Sequence, residues 1–491
     1  MECSNTFIEA VISILEVSSL TYSIYLYGYI KGIALIGLIY TLYCLFVRYV
    51  LNLHALTYGD KILLSDNFYK TQVILAQVIL ENFNTDRMYE AVYERTFKKI
   101  PKLTYVLTYK FFNFYWKETS LNREDEIKRR IIIHKPMTEE ENITFRKSEL
   151  SKQMNIFDRP IEFHIIPCLE TKQKDGSYSK GYMYIKNDHS FTDGLGLLSI
   201  LTCMSDDFKI DLFPRIMFNR TPSLIEKIRD FLLFVVLGIP VLIYSTFHTK
   251  SHFKLSKMPR TNNVSTTKPI DFDFHQVKKR SKELKMSINE ICLSSTLAAI
   301  KRQNPDAKKI SMEVPIGLSP VPGKMEDIKL ANHVFALFNV FNLIQNPLKD
   351  LNIFKADYRA LLSQAFVVRI ETWATIVIAN VLPFNVAKAI LMDIINEVDV
   401  TCSNLPGTTR ACDINGNKVV QVIPYTSTGY LSAIFGFISY NDLLTLILTY
   451  DEGQTDLGAE KIVEHFIEIM NNILYNKELD YCCEDYNKKV S

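Results

Sequence analysis

The chain is poor in charge of either sign. Only 22% of its 491 residues are Asp, Glu, Lys or Arg, and they cancel to a formal net charge of +2. The electrostatic footprint of a nucleic-acid binder is therefore missing, and no nucleic-acid partner is expected. Disorder is excluded as well, because 48% of the residues are hydrophobic. Nine cysteines are scattered apart from the adjacent Cys482 and Cys483. They form neither the CxxC pairs of a zinc site nor the spacing of a secreted disulfide scaffold. Reduced thiols facing the cytosol are the expectation, with no metal and no bound cofactor. Internal repeats and low-complexity tracts are absent. So is the basic n-region of a signal peptide, since Lys31 is the first basic residue and follows an apolar stretch.

What the chain does have is length and apolar patterning. A single core stops growing near roughly 250 residues, so two domains with additions are expected. Two apolar stretches open the sequence, Phe7 to Ile30 and Gly32 to Leu51. The second is about the 20 residues a bilayer span needs, with Arg48 placed to snorkel; Glu9 and Glu16 weaken the first. The expectation is a membrane anchor of one or two helices over 1–53 and a mixed α/β domain over 54–215. An apolar segment and basic linker over 216–268 follow, then a second α/β domain over 269–478 and a polar tail over 479–491. Within the linking region Phe231 to Phe247 carries no charge but contains Gly238 and Pro240. It is marginal as a span and fits equally a segment dipping into the membrane interface or a buried helix pair.

Strand signals fall at Lys180 to Lys186, Lys309 to Gly317, His333 to Phe341, Val419 to Pro424, Tyr430 to Tyr440 and Leu443 to Tyr450. A helix is predicted over Ser287 to Arg302 with Ser287 as its N-cap. Another closes the second domain, with Ile462, Val463, Phe466, Ile467, Met470, Ile473 and Leu474 at helical spacing.

The segment Asn187-Asp188-His189-Ser190-Phe191-Thr192-Asp193-Gly194 lies between the aromatic strand ending at Lys186 and an apolar helix over Leu195 to Met204. A histidine on such a turn faces a cleft while its backbone is held. Imidazole is the side chain whose unperturbed pKa lies near neutrality, which suits a general base. Asp193 is placed to fix the turn or the ring, and Gly194 permits a tight turn and close backbone approach.

This DHSFTDG run resembles the HHxxxDG signature of the wax ester synthase/diacylglycerol acyltransferase family, within the wider chloramphenicol acetyltransferase-like group. Four further segments match in order: SINEICLSSTLAAIKR from Ser287, VPIGLS from Val314 to Ser319, LANHVFALFNVFNL from Leu330, and CSNLPGT from Cys402 to Thr408. The likeness covers about Tyr58 to Tyr475 and is weakest in the first hundred residues. It implies an α/β fold of two domains, chloramphenicol acetyltransferase-like, carried on an N-terminal transmembrane anchor. It implies transfer of a fatty acyl group from acyl-CoA, a co-substrate, to a lipid alcohol, either diacylglycerol or a fatty alcohol. His189 would be the base and Asn289 a donor to the tetrahedral oxyanion. Asp193 is expected to support the site, Asp188 and Gly194 to complete the motif, and Asn404 to be structural because Asn-Leu-Pro-Gly is turn chemistry. The apolar run Trp373 to Phe384 fits either the lining of an acyl tunnel or an ordinary buried helix ended by Pro383. The expected setting is a membrane, endoplasmic reticulum or plasma membrane, with membrane lipids as partners and the catalytic domains facing the cytosol.

Three positions depart from the family pattern. Asp188 stands where the family has its first histidine, Asn289-Glu290 replaces Asn-Asp, and Thr408 replaces a proline. A carboxylate beside His189 would raise the imidazole pKa if the two sit close, whereas an Asp188 side chain pointing away would cap the following turn. Two other readings stand beside this one. The first is a catalytically weak or silent relative that binds lipid or acyl-CoA; the second is an acyltransferase acting on an amine or a soluble alcohol.

Overall fold

The computed structural model describes residues 37–39, 41–67, 72–110, 113–119, 121–207, 223–248, 253–317, 330–363, 398–408 and 410–475, with single positions at 18, 35 and 328. The stretch Phe7 to Ile30 lies almost wholly outside these residues, and the apolar run Trp373 to Phe384 lies wholly outside them. The last two residues of the VPIGLS segment, 318–319, fall outside as well.

Strands of the two large sheets are numbered along the chain: β1 Val73–Glu81, β2 Ile131–Ile133, β3 Ile161–Pro167, β4 Lys180–Asp188, β5 Val264–Thr266, β6 Ile270–Asp273, β7 Lys309–Gly317, β8 Val334–Asn342, β9 Val400–Pro406, β10 Asp413–Ile414, β11 Asn417–Thr426, β12 Ala433–Tyr440 and β13 Leu443–Asp451. Sheet A runs β10-β11-β1-β4-β3-β2, and sheet B runs β8-β7-β9-β12-β13-β5 with β6 also on β13. The helices that matter here are α1 Tyr58–Asn67, α2 Glu139–Ser151, α3 Gly194–Met204, α4 Leu224–His248, α5 Ile288–Gln303, α6 Leu351–Ser363 and α7 Ala459–Tyr475.

The expected strand over Val419 to Pro424 forms, yet it does not stay with its sequence neighbours. As β11 it leaves sheet B and pairs antiparallel with β1, from Lys418 opposite Glu81 to Thr426 opposite Ile74. The boundary at 268–269 therefore divides the sequence but not the sheets. Alternation, together with the irregularity between Val419 and Gln421, explains how one strand serves both halves: Val419 and Val422 join the core under sheet A, while Ile423 and Tyr425 face a second cluster shared with Val264 and Ile447 of sheet B.

The predicted linker is not free chain. The backbone N–H groups of Thr261 and Asn262 donate to Asp451, Lys257 N donates to Asp456, and Val264–Thr266 pairs with β13. Its polar residues are hydrogen-bonding stitches along the edge of sheet B. Of the alternatives for Phe231 to Phe247 the helix pair is set aside: the segment belongs to one continuous 25-residue helix, α4, through Gly238 and Pro240.

Among the described residues no helix is long and apolar enough to cross a membrane; positions 32–34, 36 and 40 of the expected span Gly32 to Leu51 lie outside those residues. Over 41–50 the chain is helical, its last turn widened at Phe46–Val50. Val47 is buried with Leu53 and Tyr115, and the Tyr43 hydroxyl meets that of Tyr115 at 2.8 Å. The end of this helix thus rests on the small sheet formed by Leu53–Ala55, Asn113–Glu118 and Tyr105–Lys110.

Ser287 caps α5 as expected, its hydroxyl accepting from Glu290 N while Glu290 returns a bond to Ser287 N. α5 and α7 cover one face of sheet B, where Met312, Val314, Val400 and Cys402 meet Ile291, Leu297, Ile462 and Phe466 in a single core. Burying each such side chain contributes about 1.5–3 kcal/mol. The other face of sheet B turns toward sheet A, and there Leu405, Ile438 and Tyr440 pack with the first core.

Candidate active site between the two sheets

β4 ends at Asp188, and the chain turns through His189 to Thr192 before α3 begins at Gly194. This turn is pinned at nearly every residue. His189 N donates to Gln72 O at 2.8 Å, Phe191 N to Asp188 O at 2.9 Å, and the buried Asn187 amide to the carbonyls of Asp188 and Thr192. Asp193 is the N-cap of α3. Its Oδ1 accepts from Gly196 N and its Oδ2 from His333 N, both at 2.9 Å. One carboxylate thereby ties the turn to the segment that enters β8. Burial pushes the Asp193 carboxyl above its usual range, against those two N–H donors and the attraction of His189.

The close neighbour of Gly194 is a side chain and not backbone: a Cβ there would lie 3.2 Å from a Leu405 methyl of β9. Gly194 does not adopt the left-handed conformation, so the tight-turn reason for it does not apply. Gly196 is the more constrained of the two, since a Cβ would meet Thr192 Oγ1 at 1.9 Å.

Asn332 completes the histidine's surroundings. Its Nδ2 donates to His189 O and to Asp60 Oδ1, each at 2.8 Å, and its backbone N–H also donates to Asp60 Oδ1 at 2.9 Å. Both neighbours of Nδ2 are pure acceptors, so that position must be the amide nitrogen. Oδ1 is then the atom 3.3 Å from His189 Nδ1, and only a protonated Nδ1 can satisfy it. The contact selects the Nδ1–H tautomer and leaves Nε2 with the free lone pair. Burial lowers the His189 pKa, and the opposing influences, its own backbone oxygen, Asp193, Asn332 and Asp60, do not overcome it. The ring is accordingly neutral near pH 7.

Asp60, on α1, is 1% exposed. It holds Asn332, accepts from Trp116 Nε1 at 3.2 Å and pairs with Lys102 Nζ at 3.7 Å. Lys102 in turn donates to the carbonyls of Phe191 and Leu330 at 2.8 Å, with its ammonium 4.8 Å from the rings of both Trp116 and Phe191. Burial lowers the Lys102 pKa, opposed by Asp60. Gly59 makes room for the arrangement, because a Cβ there would stand 2.6 Å from Asn332 O.

The remaining expected site residues lie elsewhere or act differently. Asp188 does not address the imidazole: its Oδ1 accepts from Ser190 N at 2.9 Å and from the Ser190 hydroxyl at 2.5 Å, capping the turn. The expected rise in the histidine's pKa is replaced by a fall caused by burial. Asn289 sits in the first turn of α5, near Tyr358 of α6. α5 covers the face of sheet B turned away from the histidine, so the structure does not bring this amide to the site. Asn404 lies inside β9 opposite Phe437, not in a turn. The glycine that follows is needed for strand packing, as a Cβ on Gly407 would strike Ser439 O.

Asn332, Asp60, Lys102 and Trp116 were not singled out from the sequence. Asn332 lay within the matched LANHVFALFNVFNL segment and was legible there; the other three fall in the stretch where the likeness is weakest. Beside the turn lies a narrow apolar cleft lined by Gly194, Leu197, Leu201 of α3, Leu405 of β9, Val422 of β11 and Ile438 of β12, among others. Among the described residues, two clusters of metal-ligand types occur, one at Glu139, Cys168 and Glu170 and one at Glu149, Glu162 and His164. Glu139 is already paired with Lys180, Glu149 with Lys186 and Glu162 with Arg159.

Two such sheets meeting at a seam, with a histidine turn held between them, have the architecture of the chloramphenicol acetyltransferase-like fold. The comparisons with known proteins agree. Residues 334–473 match the family described as "WS/DGAT C-terminal domain". That match lies in the C-terminal part of the chain, which there is similar to the wax ester synthase/diacylglycerol acyltransferases. Among solved structures it resembles the wax ester synthase/diacylglycerol acyltransferase from Marinobacter aquaeolei VT8 at 16% identity, covering 85% of this chain and 99% of that one with a TM-score of 0.54. Trichothecene 15-O-acetyltransferase from Fusarium sporotrichioides matches at 11% identity, over 85% and 94% of the chains, with a TM-score of 0.58. A starter condensation domain of rhizomide synthetase, in complex with C8-CoA and Leu-SNAC, matches at 9% identity over 86% and 94%, with a TM-score of 0.57. At these identities the structural likenesses speak to the fold. No curated protein sequence matches the chain.

Proposed function

We propose that the protein transfers a fatty acyl group from acyl-CoA to a lipid alcohol, giving triacylglycerol from diacylglycerol or a wax ester from a long-chain alcohol. The observation that carries the mechanism is the fixed Asn332 amide, which makes His189 an Nδ1–H imidazole with Nε2 free. Nε2 takes the hydroxyl proton as the alcohol oxygen attacks the thioester carbonyl. The tetrahedral intermediate collapses with cleavage of the C–S bond, and the imidazolium returns the proton to the departing CoA thiolate. The fatty nature of the acyl group is supported by the likeness of residues 334–473 to the WS/DGAT C-terminal domain. Asp188 in place of the family histidine does not disable this base, since its carboxylate is engaged by Ser190.

The acceptor is a membrane-dissolved alcohol and the acyl donor is cytosolic, so the working position is a membrane surface of the endoplasmic reticulum or plasma membrane, catalytic body toward the cytosol. The apolar stretches within residues 1–53 support attachment there. Purified protein supplied with palmitoyl-CoA and a panel of diacylglycerol, long-chain alcohols, short soluble alcohols and amines tests the reading. Free thiol release with a matching ester mass for the lipid alcohols is expected. Amide products, or thiol release without any ester, would refute it.

A further inference from the structure

α4 presents its apolar residues to the outside. Leu224, Ile225, Ile228, Leu232, Val235 and Val236 are between 51% and 79% exposed. At 3.6 residues per turn they form one stripe spanning about a third of the circumference, centred near Ile228. A surface helix of a globular protein has the reverse arrangement, with its stripe turned to the core.

The charges follow the same geometry. Lys227 and Arg229 stand one residue to either side of Ile228 and are exposed, so the cations flank the stripe on both edges at roughly 100°. Glu226 and Asp230 stand two residues to either side, point away from the stripe and are half-buried and buried respectively. Arg229 contacts Asp230 at 2.8 Å and keeps half of its side chain exposed. Apolar stems with cationic heads at both margins and carboxylates on the far side match an anionic lipid surface, where Lys and Arg snorkel to the headgroups. Beyond Asp230 the helix carries no charge through Phe247.

We propose that α4 is an interfacial docking helix, lying in the plane of an anionic lipid surface with the stripe in the acyl boundary and Lys227 and Arg229 at headgroup level. It deepens the lipid-acceptor reading and rests on it for its purpose, which is to hold the catalytic seam where the alcohol is dissolved.

The test reads the position of α4 and not turnover. Val235→Trp is introduced into the full chain, which otherwise has two tryptophans. The protein is mixed with phosphatidylcholine/phosphatidylserine vesicles whose phosphatidylcholine tails are brominated, and the parent protein's emission is subtracted. A blue shift with loss of about half or more of the added emission is expected, and Lys227→Gln/Arg229→Gln should weaken that quenching several-fold at low salt. Unquenched, water-like emission from vesicle-bound protein would overturn the proposal. So would a blue shift that appears without vesicles and grows with protein concentration, which would assign the stripe to a second copy of the chain. Acyl transfer to an alcohol dispersed in detergent is measured separately, so loss of that activity with quenching intact would remove the lipid-acceptor reading and leave the docking helix standing.

Discussion

Replacing Asn332 by Ala separates the part of catalysis that belongs to imidazole orientation from the part that belongs to the imidazole itself. The substitution deletes the Oδ1 acceptor at His189 Nδ1 and the two Nδ2 donations, to His189 O and Asp60 Oδ1. The Asn332 backbone bond to Asp60, the Trp116 donation and the Lys102 pair remain. A buried hydrogen bond to a charged group is worth about 1.5–3 kcal/mol, so a stability loss of about 2–3 kcal/mol is expected by urea unfolding. Loss of a partner that fixes a working histidine typically costs about 10- to 100-fold. That corresponds to about 1.4–2.7 kcal/mol of barrier. The bond to Asn332 raises the His189 pKa against burial, so its removal moves the acid limb of kcat/KM to lower pH. In a His189→Ala background the same substitution should add almost nothing, because residues acting through one base are not additive. Full additivity of the two losses, or an Asn332→Ala protein within twofold of wild type while folded, would refute the orienting role.

Further outcomes follow from the same contacts. His189→Ala should lower kcat/KM by about 100-fold or more while the protein still folds, as read by thiol release and circular dichroism. In the wild type the acid limb of kcat/KM should lie below the unperturbed histidine value of about 6.5, because burial favours the neutral ring; a limb above that value contradicts the burial of His189. Asp188→Asn should leave the acid limb in place and cost about 1–2 kcal/mol through the weakened cap on Ser190; a limb that moves would restore direct coupling to the imidazole. Asp60→Asn strands the buried Lys102 ammonium and should destabilise by about 3–5 kcal/mol in thermal or urea melts, far beyond a surface substitution.

Legibility in the sequence followed the range of the forces involved. Period-two alternation and cap chemistry are local, so Lys309 to Gly317 was placed to the residue and Ser287 was recognised as the cap of α5. The partner of a strand is not local. Val419 to Pro424 reads as a strand in either sheet, and only the fit of Val422 and Tyr425 to two different clusters decides that it joins β1. At the site, the histidine motif is one contiguous turn and was visible. Its support is drawn from positions 60, 102, 116 and 332, and nothing in the chain near Asp60 or Lys102 announces that their charges will meet. Asn289 shows the opposite error, a residue given a role by its motif position though α5 lies across sheet B from the histidine. For Asp188 two placements stayed open in the sequence, beside the imidazole or capping the following turn, and its side chain takes the second, addressing the backbone two residues on.

The swapped strand gives the site a mechanical character that neither half has alone. Cleft residues come from α3 and β1 on one side, from β9 and β12 on the other, and from β11, which starts from sheet B's sequence and ends in sheet A. Separating the two halves would therefore break the β11–β1 ladder as well as the apolar contacts of Leu405 and Ile438. Lys102 and Asp193 add polar ties across the same seam, the first through Leu330 O and the second through His333 N. Interfaces joined only by surface contact ordinarily allow domain motion. Here the β11–β1 ladder opposes a hinge between the two sheets.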